Sequence, residues 1–156
     1  MAERRVNIDK ELVEFVKTLS DSDSDKRIFN SMAQCMAFAA AYGYKNKNRQ
    51  PIERAPPKMV APIHFQIFEN ARLDNLFSLI SLAAEKDYKK VLSDSDKSSS
   101  LRVTIFEEYA KGGLKLLQNQ LSGHIDYLDP IVATILESRD IEKESDGFDT
   151  SKLKIK

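Results

Sequence analysis

Residues 31–43, SMAQCMAFAAAYG, constrain the fold more than any other stretch of this chain. Met32, Ala33, Met36, Ala37 and Ala40 recur at three- and four-residue steps and so share one side of a helix, which Phe29 extends one turn back. The other side carries Cys35, Phe38, Ala39 and Tyr42, with Gln34 as its polar interruption. A helix that is apolar nearly all round belongs at the centre of a bundle. Asn30 or Ser31 is suited to cap its start, and Gly43 is expected to end it in the left-handed conformation. Alanine lets a neighbouring backbone come close, so Leu at Ala37 or Ala40 should overpack the core at about 1–3 kcal/mol.

The helix runs straight into a basic loop. Residues 44–50, YKNKNRQ, hold three cations, three amides and an aromatic, and no acid follows until Glu53. Lys and Arg neutralise phosphates, amides hydrogen-bond phosphates or base edges, and a tyrosine ring can stack. Tyr44, Lys45, Lys47, Arg49 and Arg54 are therefore the candidate nucleic-acid contacts, with Arg4 and Arg5 as helpers. The competing reading of the same run is a solvated loop on a chain that is 31% charged.

At 156 residues the chain suits one domain that buries about 68–70% of its unfolded surface. Lys plus Arg equals Asp plus Glu at 24 each, so no global field draws DNA and any contact needs a local patch. The single cysteine, Cys35, has no disulfide partner and sits in the apolar helix, which points to a structural thiol in a reducing compartment. The opening residues MAERRVNIDKE carry no apolar signal core, and no run approaches the ~20 residues of a membrane span. A soluble, cytoplasmic protein without a membrane partner is expected.

In chain order, residues 4–8 suit a short strand, and Asp9 can cap a helix whose stripe is Leu12, Phe15, Val16 and Leu19. A strand followed by two helices resembles the ribbon-helix-helix arrangement. The acidic spacer SDSDSDK, residues 20–26, would repel phosphate there, so a flexible loop between helices is the simpler account. Residues 51–62 hold four of the five prolines and form an extended connector. Alternation in IHFQIF, residues 63–68, favours a strand able to pair with RVNI, against a first helical turn after Pro62.

Residues 72–86 are helical, with Leu73, Leu76, Phe77, Ile80, Ala83 and Ala84 on one face. SDSDKSSS, residues 93–100, is a polar low-complexity stretch expected to be a mobile loop. Residues 101–121 form the longest helix, with Val103, Phe106, Ala110, Leu114, Leu117 and Leu121 in one stripe. Gly112 and Gly113 interrupt it at about 1 kcal/mol each, which implies a kink, a helix break or close approach of another backbone such as the alanine-rich helix. Asp126 or Asp129 caps a last helix in which Leu128, Ile131, Val132, Ile135 and Leu136 are expected to face the core. The expected fold is mainly α: a compact bundle of about five helices with a short β pair between residues 4–8 and 63–68. Residues 1–137 form one domain, and residues 138–156 a charged, flexible tail.

No catalytic constellation is visible: no phosphate-binding glycine loop, no zinc-ligand cysteine pair and no nucleophile elbow. His64 and His124 lack partners at metal-binding spacing and suit ordinary surface or half-buried imidazoles. Glu107 and Glu108 are adjacent, so they diverge by about 100° on a helix and make a poor carboxylate pair. Glu108 is placed instead for surface pairing with Lys111 or the neighbours of Arg102. Neither a catalytic role nor a cofactor is expected.

AFAAAYGYK, Arg49 with Pro51, PIHFQIF, LFSLISLA, TIFEEYAKGGLKLLQNQL and HIDYL together resemble the small proteins encoded beside DNA phosphorothioation genes, the family called Dnd system-associated protein 4. The likeness spans about residues 28–135. It implies a setting, prokaryotic sulphur modification of DNA and the linked restriction defence against phage, and it transfers no functional residue. Within that setting stand two expectations. The first is an accessory protein touching the backbone of double-stranded DNA through the basic loop. The second is an adaptor or regulator docking on larger Dnd-system proteins without DNA contact. Exposed Tyr and Phe side chains leave a homodimer open. A clustered positive face would favour the first, and an exposed apolar patch the second.

Overall fold

The computed structural model describes residues 4–145. In chain order the elements are β1 (Arg5–Val6), α1 (Val13–Ser20), α2 (Met32–Lys45), β2 (Ile63–His64), α3 (Phe65–Asn70), α4 (Asn75–Glu85), α5 (Tyr88–Leu92), α6 (Asp96–Leu121) and α7 (Leu128–Ser145). The fold is mainly α, as expected. Its five longer helices are α1, α2, α4, α6 and α7, while α3 and α5 are single short turns of six and five residues.

The alanine-rich helix α2 lies at the centre and packs along α6. Ala33, Cys35, Met36, Ala37, Ala39 and Ala40 are buried. Ser31 caps it by accepting a hydrogen bond from the Gln34 backbone N–H at 3.1 Å, and the Gln34 side chain accepts from the Asn30 N–H at 3.0 Å. Gly43 does not end this helix, which runs on to Lys45. The left-handed residue is Lys47, at φ 54°.

What Gly43 provides is proximity. A Cβ there would fall 2.0 Å from the Tyr109 carbonyl oxygen, and one on Gly113 would fall 1.8 Å from that of Ala39. Gly112 meets the loop in the same way, with a Cβ 1.8 Å from the Asn48 carbonyl oxygen. The two helices therefore touch backbone to backbone, and α6 passes through its glycine pair as one 26-residue helix. Of the three outcomes expected for Gly112 and Gly113, close approach to the alanine-rich helix is the one observed.

Most of residues 93–100, from 96 onward, are helix and not a loop. Helix α6 begins at Asp96, and Ser95 caps it by accepting from the Ser98 N–H at 3.2 Å. Ser98 is buried and donates its hydroxyl to the Lys90 carbonyl at 2.7 Å, which ties α5 to α6. Serine and aspartate are low-complexity by composition, but they are also the residues that start helices.

Strand β1 pairs antiparallel with β2, Arg5 opposite His64 and Val6 opposite Ile63. The pair is shorter than residues 4–8 and 63–68 because the chain turns helical at Phe65, which sets Phe65 and Phe68 edge-on to Phe77, each at 5.0 Å. Phe77 stacks on Phe106 at 3.9 Å, so this aromatic cluster joins α3, α4 and α6. Beyond β1 the chain runs beside the proline-rich connector. Ala55 N–H donates to the Ile8 carbonyl at 3.0 Å and Lys10 N–H to that of Glu53 at 2.8 Å.

Helix α7 departs most from expectation. Ile131 is buried, but Leu128, Val132, Ile135 and Leu136 are exposed. Of the expected stripe the bundle covers Ile131 and leaves the other four exposed. The charged tail expected from residue 138 begins inside α7, and residues 146–156, with Phe148, Leu153 and Ile155, lie outside the described residues.

Candidate functional site

The basic loop leaves α2 through Lys45 and turns at Lys47. Tyr44 is partly exposed, with its ring edge-on to Tyr109 at 5.6 Å. Lys45 lies exposed on the last turn of α2, and Lys47 is exposed in its left-handed turn. The amides serve the loop itself. Asn46 donates to the Tyr42 carbonyl at 2.8 Å, Asn48 to that of Gly112 at 3.2 Å, and Gln50 to the Asn48 side chain at 2.9 Å.

Arg49 is a staple between elements. Its Nη2 lies 3.0 Å from Glu108 Oε1 and its Nη1 3.3 Å from Glu85 Oε1, and its guanidinium sits 5.7 Å from the Tyr109 ring centre. Burial opposes its charge, but the two carboxylates outweigh this and hold it above the usual arginine range. Glu85 is held below the usual carboxylate range by Lys90 and then Arg49. Glu108 thus pairs with the loop and not with Lys111 or the surroundings of Arg102.

Arg54 stands apart from the other four candidates. It faces a cavity of about 560 Å³ shared with Arg4, Arg5 and Arg102, which Tyr44, Lys45, Lys47 and Arg49 do not line. The floor of that cavity includes Glu107, buried and accepting the Asn7 backbone N–H. Burial pushes the Glu107 carboxyl up, against the pull of Asn7 and of the Arg54 charge. The 100° divergence of the two glutamates is visible here, with Glu107 turned to β1 and Glu108 to the loop.

A second buried carboxylate, Asp9, locks the connector. Its Oδ1 accepts from the Glu11 N–H at 3.0 Å, and its Oδ2 accepts from the Glu53 N–H and from Lys111 Nζ, both at 2.9 Å. Lys111 also donates to the Pro51 carbonyl at 2.9 Å. Burial alone would raise Asp9, yet the Glu53 N–H, Lys111 and the Glu11 N–H together hold it below the usual aspartate range. The sequence marked Asp9 as a helix cap and did not show its link to Lys111, a contact across about a hundred residues.

Cys35 is fully buried, and burial pushes its thiol up to about 12, so it is inert as a nucleophile. His64 is half-buried in β2 and His124 is exposed. Among the described residues no group of three His, Cys, Asp or Glu side chains is arranged to hold a metal ion, and no helix is long and apolar enough to cross a membrane.

The feature that periodicity pointed away from is the outer face of α7. Leu128, Val132, Ile135 and Leu136 stand at i, i+4, i+7 and i+8, each 44–53% exposed, and Ile125 just before the helix is 92% exposed. Ile135 also borders a groove of about 290 Å³ against Phe38, Tyr42 and Lys45 of α2. The family model of DNA sulphur modification system-associated protein 4 matches residues 5–153. No curated protein and no solved structure matches the chain.

Proposed function

The chain belongs to the family of DNA sulphur modification system-associated protein 4, and from that premise we propose that it is a non-catalytic accessory protein that docks on a larger protein of such a system. The observation that carries this reading is the exposed apolar stripe of α7, Leu128, Val132, Ile135 and Leu136. Side chains at this spacing suit a helix laid into an apolar groove of a partner, and contiguous exposed apolar area commonly marks such contacts. The balance of 24 cations against 24 acids fits a partner found by apolar burial and not by a long-range field.

Binding of the separately purified proteins of the same modification system to the immobilised chain tests this. The wild type should bind one of them, and a Val132→Glu, Leu136→Glu double variant should lose that binding at least 100-fold while melting close to the wild type, since the two side chains are 44% and 52% exposed. Equal binding by the variant, or binding to none of the components, overturns the proposal. Sedimentation of the chain alone over a concentration series separates a homodimer built on the same face.

One observation favours a second reading, contact with the backbone of double-stranded DNA through Tyr44, Lys45, Lys47, Arg49 and Arg54. Lys47 is exposed at the turn of the loop, next to exposed Lys45, which is how a phosphate contact is presented. Fluorescence anisotropy of a labelled duplex, with and without phosphorothioate linkages, at about 50 and 200 mM salt decides it.

A further inference from the structure

The arginine-lined cavity, apart from Arg54, plays no part in either role. One wall is a single face of α6, on which Ser99, Ser100, Arg102, Val103 and Glu107 follow at helical spacing. The facing wall is β1 and its two flanking residues, with Arg4, Arg5 and Asn7, and Arg54 of the connector adds a further side. Four arginines thus line one concave space from three separate parts of the chain.

Arg102 is held by neutral acceptors. It donates to the Val91 carbonyl at 2.5 Å, to that of Ser93 at 3.3 Å and to the Ser99 hydroxyl at 3.0 Å. Those bonds fix the position of the group while leaving its charge without a hydrogen-bonded carboxylate. Burial and then the nearby Arg4 charge hold Arg102 below the usual arginine range, with Asp94 pulling the other way. Arg4 is fixed over the Phe65 ring at 4.1 Å, with its Glu69 partner no closer than 4.0 Å. Positive charge is therefore concentrated on rigid supports, and an anion entering the cavity relieves the repulsion between them.

The cavity is not uniformly basic. Asp94 and Asp96 lie at the mouth by the start of α6, and Glu107 at the floor. A bare anion makes no use of these acceptors, whereas a ligand with hydroxyl or amino groups beside its phosphate does. The volume of about 560 Å³ falls within the range of small-molecule sites and accommodates a group of nucleotide size. A concavity of this size, open on one side, fits the end group of a small molecule better than the continuous backbone of a duplex. We propose that this cavity binds a nucleotide-sized phosphate monoester, with Arg54 and Arg102 on the phosphate and Glu107 on the organic part.

Isothermal titration calorimetry of the full chain at about 50 mM salt tests this with AMP, adenosine and inorganic phosphate as probes. AMP should bind, adenosine should not, and inorganic phosphate should bind more weakly and compete with AMP. Arg102→Ala should lower AMP affinity at least tenfold. Because Arg102 also braces the carbonyls of Val91 and Ser93, that variant can fail to fold, and Arg54→Ala serves as the second. Arg54 is exposed, so its alanine variant should melt like the wild type while losing AMP affinity about tenfold. The proposal is overturned by no heat with AMP up to about 10 mM, by unchanged AMP affinity in both variants, or by binding of a 12-base-pair duplex that depends on Arg54 and that AMP does not displace.

Discussion

Gly113 shows how much one missing methyl group decides. Any Cβ there would meet the Ala39 carbonyl oxygen at 1.8 Å and the Gly43 nitrogen at 2.9 Å, both main-chain atoms that cannot rotate away. Gly113→Ala should force α2 and α6 apart and destabilise the protein by about 3 kcal/mol or more, whereas the helix propensity of alanine alone would favour it by about 1 kcal/mol. Urea denaturation gives the sign directly, and a stabilised variant would contradict the contact. The two buried carboxylates pull stability in opposite directions with pH. Asp9 is held below its usual value near 3.9, so its contribution is present above about pH 4 and is lost as pH falls through the lowered value. Glu107 is raised, so its contribution is present below about pH 4.3 and is lost as pH rises through the raised value. Asp9→Asn should cost about 3–5 kcal/mol at pH 7, because Lys111 then faces a neutral amide in a buried site. Glu107→Gln keeps an acceptor for the Asn7 N–H and should raise the melting temperature at pH 7, with little change at pH 4. Melting curves of the three proteins between pH 3 and 8 check both signs.

At the scale of elements, periodicity located the helices and their inward stripes well where a neighbour covers them. Leu12 at the start of α1, Val16 and Leu19 within it, and Val103, Phe106, Ala110, Leu114, Leu117 and Leu121 of α6 are all buried, while Phe15 is half-buried against the same core. It failed on α7 for a physical reason: a 3.6-residue repeat says that one face is apolar and not what lies against it. Gly43 was misread for a related reason, since a glycine after an apolar run signals either a left-handed stop or a close approach. The basic loop was legible as a run of charge, but the carboxylates of Glu85 and Glu108 that occupy Arg49 come from 36 and 59 residues away and leave no local trace. Likewise the cavity gathers Arg4, Arg5, Arg54 and Arg102 only because β1, the connector and α6 meet. The start of α6 was hidden by composition, and it yields a prediction. Ser95→Ala removes the acceptor of the Ser98 N–H and should cost about 1 kcal/mol. Hydrogen exchange should show the loss first in the amides of residues 96–100, and exchange unchanged there would mean that Ser95 is not the cap.

For the molecule as a whole, the distribution of charge decides how strongly a duplex can be held. Equal numbers of cations and acids leave no net field, so any affinity for DNA must come from phosphates neutralised one at a time. Of the four candidate cations, Arg49 already satisfies Glu85 and Glu108, and Arg54 faces the cavity. Lys45, at the end of α2, and Lys47, in the turn that follows, are both exposed. Two phosphate contacts give a slope of roughly −1.8 in log K against log salt, so affinity should fall about 12-fold between 50 and 200 mM salt. Engagement of all four cations would give roughly −3.6 and a fall of about 150-fold. Anisotropy titrations at the two salt concentrations distinguish these values. A Lys45→Ala, Lys47→Ala variant that still folds, as judged by circular dichroism, should lose the salt-dependent binding. Arg49→Ala should instead lower stability by about 1 kcal/mol, since it releases a half-exposed pair of ion contacts joining the loop to α4 and α6. A loss near 150-fold would mean that Arg49 leaves its carboxylates for phosphate and that the loop rearranges on DNA. No binding even at 50 mM salt would remove the DNA reading and leave the α7 face as the point of attachment.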